Sequence, residues 1–151
     1  MTIGGGQLIF NNLGPTTVTA PTNISFGFLD SGGIDGGGTI PSGTQFVLTL
    51  DQILPVAGTN QVVGTLSGFI NATQSSVALD FTNPTFTMDG ATYTIAQPPG
   101  GILIVPPSSN GGITTIQGTV NNAVPEPGTL LLLVSGIAIL GFGMRRRRAC
   151  S

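Results

Sequence analysis

Apolar and polar side chains alternate with a period of two along much of the first 122 residues. The clearest run is 77–81, where Leu79 and Phe81 are separated by an aspartate. The runs 24–28 and 46–50 alternate in the same way. Because successive side chains of a strand point to opposite faces, this period predicts half-buried β-strands and not helices.

A hairpin is predicted where the segments 86–88 and 93–95 flank the pair Asp89-Gly90. An Asp-Gly pair between two alternating runs favours a tight turn, because glycine tolerates the positive φ that a type I′ turn requires. We therefore expect two antiparallel strands joined at this pair.

Further short runs, separated by loops rich in glycine and proline, complete an all-β pattern. The additional runs are 8–10, 16–19, 62–70, 102–105 and 113–120, and the loops are Ser31–Gly38, Pro98–Gly101 and Pro106–Gly112. Roughly eight or nine short strands at this spacing predict an antiparallel β-sandwich or barrel-like body. We assign this body to residues 1–119, followed by a linker over 120–127.

Charge is sparse and sharply divided along the chain. Five aspartates and no basic residue lie in residues 1–122, whereas all four positive charges lie at 145–148. Such a body lacks the Lys and Arg that bind phosphates, so nucleic acid is not expected as a partner. The chain has no histidine, which excludes Ser-His-Asp and Cys-His catalytic sites and histidine-based zinc sites. We expect no cofactor and no enzymatic activity.

Two weak sites remain in the body, both in the sequence DSGGIDGGG. Asp30 and Asp35 are candidate ligands for calcium, because carboxylates on a glycine-rich loop suit an oxygen-binding cation. The same Asp30 begins an Asp-Ser-Gly sequence similar to the catalytic loop of aspartic proteases, which would require a second carboxylate from a dimer. An ordinary solvated loop is the simpler interpretation, since Asp and Ser favour turns.

The C-terminal segment 128–151 combines an apolar run with a basic end. Leu130–Met144 spans about 22 Å as a helix, which is short for a bilayer core of roughly 30 Å unless Gly128, Thr129 and the arginine stems extend it. It is apolar all round, unlike an amphipathic core helix. The residues expected to contact lipid are Leu130, Leu131, Leu132, Leu133, Ile137, Ile139 and Leu140. One transmembrane helix is therefore predicted, with Arg145, Arg146, Arg147 and Arg148 on the cytoplasmic side.

The order of features in this segment resembles the PEP-CTERM sorting signal of Gram-negative bacteria. Val124, Pro125, Glu126 and Pro127 match its motif, Leu130–Met144 matches its membrane segment and the four arginines match its basic stop. The resemblance implies that the chain is a substrate of an exosortase, a membrane-embedded enzyme that recognises the motif and cleaves near it. It also implies a location at the bacterial membrane with the body outside the cytoplasm, and then at the cell surface or in the extracellular matrix of a biofilm.

Proteins with this signal normally begin with a secretory signal peptide. The sequence MTIGGGQLIF has neither a basic n-region nor an apolar h-region. Either the natural start lies upstream of Met1 or the signal peptide has been lost, and we expect the first.

These observations predict an exported surface or matrix protein with a structural or adhesive role. Its expected partners are an exosortase-type enzyme, membrane lipid bound through the tail and extracellular polysaccharide. Two alternatives stay open: a membrane-anchored sandwich that binds carbohydrate or calcium, and an aspartic hydrolase built around Asp30.

Overall fold

The computed structural model describes residues 1–54 and 56–122, and these residues form an all-β fold. The strands are β1 (Thr2–Ile3), β2 (Gly6–Gln7), β3 (Ile9–Asn11), β4 (Thr22–Asp30), β5 (Gly38–Gln52), β6 (Gly58–Ile70), β7 (Ala78–Phe81), β8 (Thr85–Met88), β9 (Ala91–Ile95), β10 (Ile102–Leu103) and β11 (Ile113–Asn122). The predicted all-β class is confirmed.

The strands form two main antiparallel sheets and one small hairpin. The first sheet has the order β10-β7-β6-β5, the second has the order β3-β4-β11-β9-β8, and β1 pairs with β2. Strand β11 therefore lies in the middle of the five-stranded sheet, between β4 and β9.

Side chains from the inner faces of the two main sheets form one hydrophobic core. It includes Leu29 and Ile116 from the five-stranded sheet and Leu48 and Leu79 from the four-stranded sheet. The rings of Phe10 in β3 and Phe46 in β5 meet edge to face at 5.4 Å between centroids, which is a favourable aromatic geometry across the two sheets.

The strongest sequence patterns correspond to strands. In β7, Leu79 and Phe81 are buried while Asp80 is exposed, as the alternation predicts. The predicted hairpin is confirmed: Met88 pairs with Ala91, and both Asp89 (φ 41°) and Gly90 (φ 83°) have the positive φ of a type I′ turn.

Two expectations differ from the structure. The run 16–19 is not a strand, because it lies in an exposed connection between β3 and β4, where Val18 is its single large apolar residue and remains exposed. Strand β11 continues to Asn122, beyond the body boundary at residue 119, because Asn121 and Asn122 keep pairing with β9.

The predicted transmembrane helix and the rest of the sorting segment lie outside the described residues. Within residues 1–54 and 56–122, the structure contains no helix that is long and apolar enough to cross a membrane.

Candidate functional site

The glycine-rich loop that carries Asp30 and Asp35, residues 30–38, is called the acidic loop here, and it begins where β4 ends. The Asp30 carboxylate oxygen Oδ1 accepts a hydrogen bond of 2.7 Å from the backbone N–H of Gly32. This contact is an aspartate closing a turn over its own backbone, which is a common structural role of this residue type. The half-buried Asp30 side chain therefore has a local structural function in the loop.

Ser31 is the most deeply buried residue of the Asp-Ser-Gly sequence, with an exposed fraction of 0%. Its hydroxyl lies 2.7 Å from the carbonyl oxygen of Val105 and 3.2 Å from that of Gly112, and it can donate to either. Its backbone N–H also donates to the Gly112 carbonyl at 3.0 Å. Ser31 thus ties the acidic loop to the segment that leads into β11, more than seventy positions along the chain.

Glycines on both sides allow the β1–β2 hairpin to pack directly on the acidic loop. A Cβ added to Gly6 would lie 2.1 Å from the carbonyl oxygen of Gly33, and one added to Gly36 would lie 2.1 Å from that of Gly4. Real Cβ contacts are never this short, so only glycine permits this backbone approach. The exposed Asp35 lies at this junction, because a Cβ on Gly5 would lie 3.2 Å from its Oδ1.

The two candidate calcium ligands, Asp30 and Asp35, thus both lie on the acidic loop. The Asp30 carboxylate accepts a hydrogen bond from the Gly32 N–H, and the Asp35 carboxylate lies beside Gly5 of the β1–β2 hairpin. No group of three or more His, Cys, Asp or Glu side chains that could hold a metal ion occurs among residues 1–54 and 56–122. Asp30 and Asp35 alone provide fewer ligands than the six to eight oxygens that calcium takes. The described arrangement accounts for the loop as a packing element of the fold.

The single tyrosine connects the two sheets at the end where β11 finishes. Tyr93 in β9 pairs with Val120 of β11, and its hydroxyl donates to Oε1 of Gln52 in β5 at 2.8 Å. Burial raises the pKa of the Tyr93 phenol above its ordinary value of 10.0. Its ring also stacks on Phe86 at 5.4 Å between centroids, so part of the aromatic face is covered.

This end of the body is also where the sorting segment is attached. The last strand residue, Asn122, pairs with Ala91, next to the Asp89-Gly90 turn. The loop between β5 and β6 lies at the same end, because Gln52 is the last residue of β5 and contacts Tyr93.

That β5–β6 loop carries exposed apolar side chains which the sequence reasoning missed. Ile53, Leu54 and Val56 are 65%, 74% and 55% exposed. The available signal was the sequence ILPVA at 53–57 in a position between two strands, where polar turn residues are usual. We call Ile53, Leu54 and Val56 the apolar tip.

The predicted sorting residues lie outside the described part of the chain. This applies to the motif Val124–Pro127, to the membrane segment Leu130–Met144 and to the arginines at 145–148. Their assignment depends on comparison with known proteins.

Residues 123–148 match the family model described as the PEP-CTERM protein-sorting motif. Neither the search of curated proteins nor the search of solved structures gives a significant match to the chain. The motif implies export, a membrane-linked sorting signal and processing of the chain as cargo by an exosortase. The resemblance found in the sequence is confirmed: the chain carries a PEP-CTERM protein-sorting motif, which begins at the residue after the last strand of its β body.

Proposed function

We propose that this chain is an exported surface or matrix protein with a structural or adhesive body, delivered by an exosortase that processes its C-terminal signal. The observation that carries this proposal is the position of the sorting motif. It occupies residues 123–148, directly after β11 ends at Asn122. The folded body can therefore be complete before the motif begins, which leaves the motif accessible to a processing enzyme.

The proposed anchor is a single helix formed by Leu130–Met144, with the arginines at 145–148 retained in the cytoplasm and the body outside. The prolines of the motif would keep the stretch between body and membrane extended, because proline disfavours helix at the preceding residue. The body itself is proposed to be an antiparallel sandwich of the two main sheets, since Phe10 and Phe46 meet across them.

Exposed hydroxyl groups support a structural or adhesive role for the body. On the β8–β9 hairpin, the Thr85 hydroxyl donates to the Thr94 hydroxyl at 3.2 Å, and the Thr87 and Thr92 hydroxyls are 3.4 Å apart. These cross-strand threonine pairs form an uncharged, hydrogen-bonding surface. Such a surface suits contact with an extracellular polysaccharide, which is the partner we propose for the body.

Among the described residues, nothing supports a defined saccharide- or calcium-binding site, as distinct from the broad polysaccharide contact proposed above, or an aspartic hydrolase site. The carbohydrate- or calcium-binding sandwich lacks an exposed tryptophan, and Tyr93 is stacked on Phe86 and bonded to Gln52. The aspartic hydrolase stays a prediction that Asp30→Asn tests. If Asp30 is an essential catalytic carboxylate, the Asp30→Asn variant should lose a hydrolytic activity that the parent shows.

The proposal is tested by expressing the full gene, with its upstream codons, in a host with and without exosortase and following the location of the body. With the enzyme, the body should leave the membrane fraction for the cell surface or medium. A triple variant in which Pro125, Glu126 and Pro127 are alanine should stay in the membrane. The matched control changes Pro106 and Pro107, two prolines of the body, to alanine and should be sorted normally.

The lone cysteine provides a test of topology. Cys150 follows the arginines, so a membrane-impermeant maleimide should label it only after the cells are lysed. A Leu103→Cys/Cys150→Ser control places the thiol on the exposed surface of the body and should be labelled before lysis once the outer membrane is permeabilised. Labelling of Cys150 before lysis, under the same conditions, would contradict the proposed orientation.

A further inference from the structure

We propose that the apolar tip of the β5–β6 loop is a second membrane-contact site, which docks the body of the uncleaved chain onto the lipid surface beside its own anchor until the exosortase removes that anchor. This inference rests on the proposed membrane anchoring of residues 130–144. It adds a contact made by the folded body, at side chains far from the sorting motif in sequence.

Two contacts between the sheets show that β5 and β11 run toward the same end of the molecule. Near the start of β11, Thr114 pairs with Leu29, which pairs with Phe10, and Phe10 meets Phe46 of β5. Near the end of β11, Val120 pairs with Tyr93, which bonds to Gln52 of β5. The two contacts lie six residues apart along β5 and six residues apart along β11, in the same chain direction. The two strands therefore run toward the same end of the molecule.

The apolar tip, which follows β5, therefore lies at the same end of the body as Asn122, the residue after which the sorting segment begins. Only seven residues, 123–129, separate Asn122 from the apolar segment, and they span about 25 Å when fully extended. The tether therefore keeps this end of the body close to the bilayer, where exposed apolar side chains can be taken out of water.

Side chains at this end favour a lipid surface as the occupant. The apolar tip has three neighbouring apolar side chains that are more than half exposed, whereas single exposed hydrophobic residues are ordinary on protein surfaces. Asp51, just before the tip, and Asp89, in the adjacent turn, are both exposed and would remain in water. The contact is therefore shallow, at the level of the headgroups and upper acyl chains, and is tested on zwitterionic lipid.

The chain offers a matched control at the opposite end of the same sheet. The exposed fraction of Leu103, 64%, is similar to those of Ile53 and Leu54. Its position is different, because Leu103 pairs with Ala78, which in turn pairs with Ser67 of β6. Ser67 lies nine residues along β6 from Gly58, the residue that closes the apolar tip, and therefore about 30 Å away.

The experiment uses the full chain in phosphatidylcholine vesicles with Cys150→Ser as background. An environment-sensitive fluorophore is attached at Leu54→Cys or, as control, at Leu103→Cys, and nitroxide-labelled lipid is added as quencher. We expect both proteins to float with the vesicles. The probe at position 54 should show a blue-shifted emission and a loss of intensity with nitroxide lipid, whereas the probe at 103 should show neither.

The other outcomes overturn the inference in distinguishable ways. If the chain floats but the two probes behave alike, the anchor stands and the docking site does not exist. A blue shift at position 54 without quenching by nitroxide lipid would show that protein, such as a second copy of the chain, covers the apolar tip. If the chain does not float, the proposed anchor fails and the docking site fails with it.

Discussion

Replacing Ser31 with alanine tests whether the Asp-Ser-Gly sequence is a structural tie. The change removes a hydroxyl that is 0% exposed and lies 2.7 Å from the Val105 carbonyl oxygen. The Gly112 carbonyl would keep the 3.0 Å hydrogen bond from the Ser31 backbone N–H, so one acceptor, that of Val105, loses its hydroxyl donor.

The expected cost follows from this one lost donor. An intramolecular hydrogen bond contributes about 0.5–1.5 kcal/mol net, and a buried acceptor left without its partner costs about 1–3 kcal/mol. Because Val105 is only half-buried, we expect the free energy of unfolding to fall by about 1–2 kcal/mol. For a body of this size, that corresponds to a decrease in Tm of roughly 4–10 °C.

The assay is urea unfolding of the full chain in detergent, followed by far-ultraviolet circular dichroism. Ser42→Ala is the matched control, because the Ser42 side chain is exposed, and it should change the free energy of unfolding by less than about 0.5 kcal/mol. Equal stability of the two variants would refute the structural role assigned to the Ser31 hydroxyl.

Three further predictions concern other contacts within the body. Gly6→Ala should destabilise the body by about 1–3 kcal/mol, because the added methyl group would push the β1–β2 hairpin away from Gly33. Gly14→Ala is the control and should have no such effect, because no atom lies within 4 Å of the added Cβ. Thermal unfolding measures both variants. Asp30→Asn should unfold like the parent, because an amide oxygen can still accept a hydrogen bond from the Gly32 N–H. Asp30→Ala, which loses this hydrogen bond, should lower the free energy of unfolding by about 0.5–1.5 kcal/mol in the same urea assay. The raised pKa of Tyr93 means that the unfolded chain loses the phenol proton first as pH rises, so the stability of the parent should fall above about pH 10. Tyr93→Phe should lose that dependence, and because the chain has one tyrosine, phenolate absorbance reports this group alone.

The sequence predicted the strands whose patterns are local. The alternation around Leu79 and the turn at Asp89-Gly90 depend on neighbouring residues, and both correspond to the structure. The 16–19 run shows the limit of propensity, since a threonine-rich segment without apolar partners does not join a sheet.

Contacts between distant segments could not be predicted in this way. The hydrogen bond from Ser31 to Val105 and the one from Tyr93 to Gln52 depend on how the two sheets pair and pack, which no local pattern specifies. The position of the apolar tip beside the end of β11 depends on the same packing. The sorting motif was recognisable for the opposite reason, because its parts are contiguous in sequence and are found without knowledge of the fold.

The most direct test of the central claim is the intact mass of the chain recovered from a host that contains exosortase. We expect a product that ends near Pro125–Pro127 and lacks the apolar and arginine-rich segment, alongside full-length chain from the host without the enzyme. Full-length mass in both hosts, with the exosortase active on another substrate, would contradict the assignment of this chain as exosortase cargo.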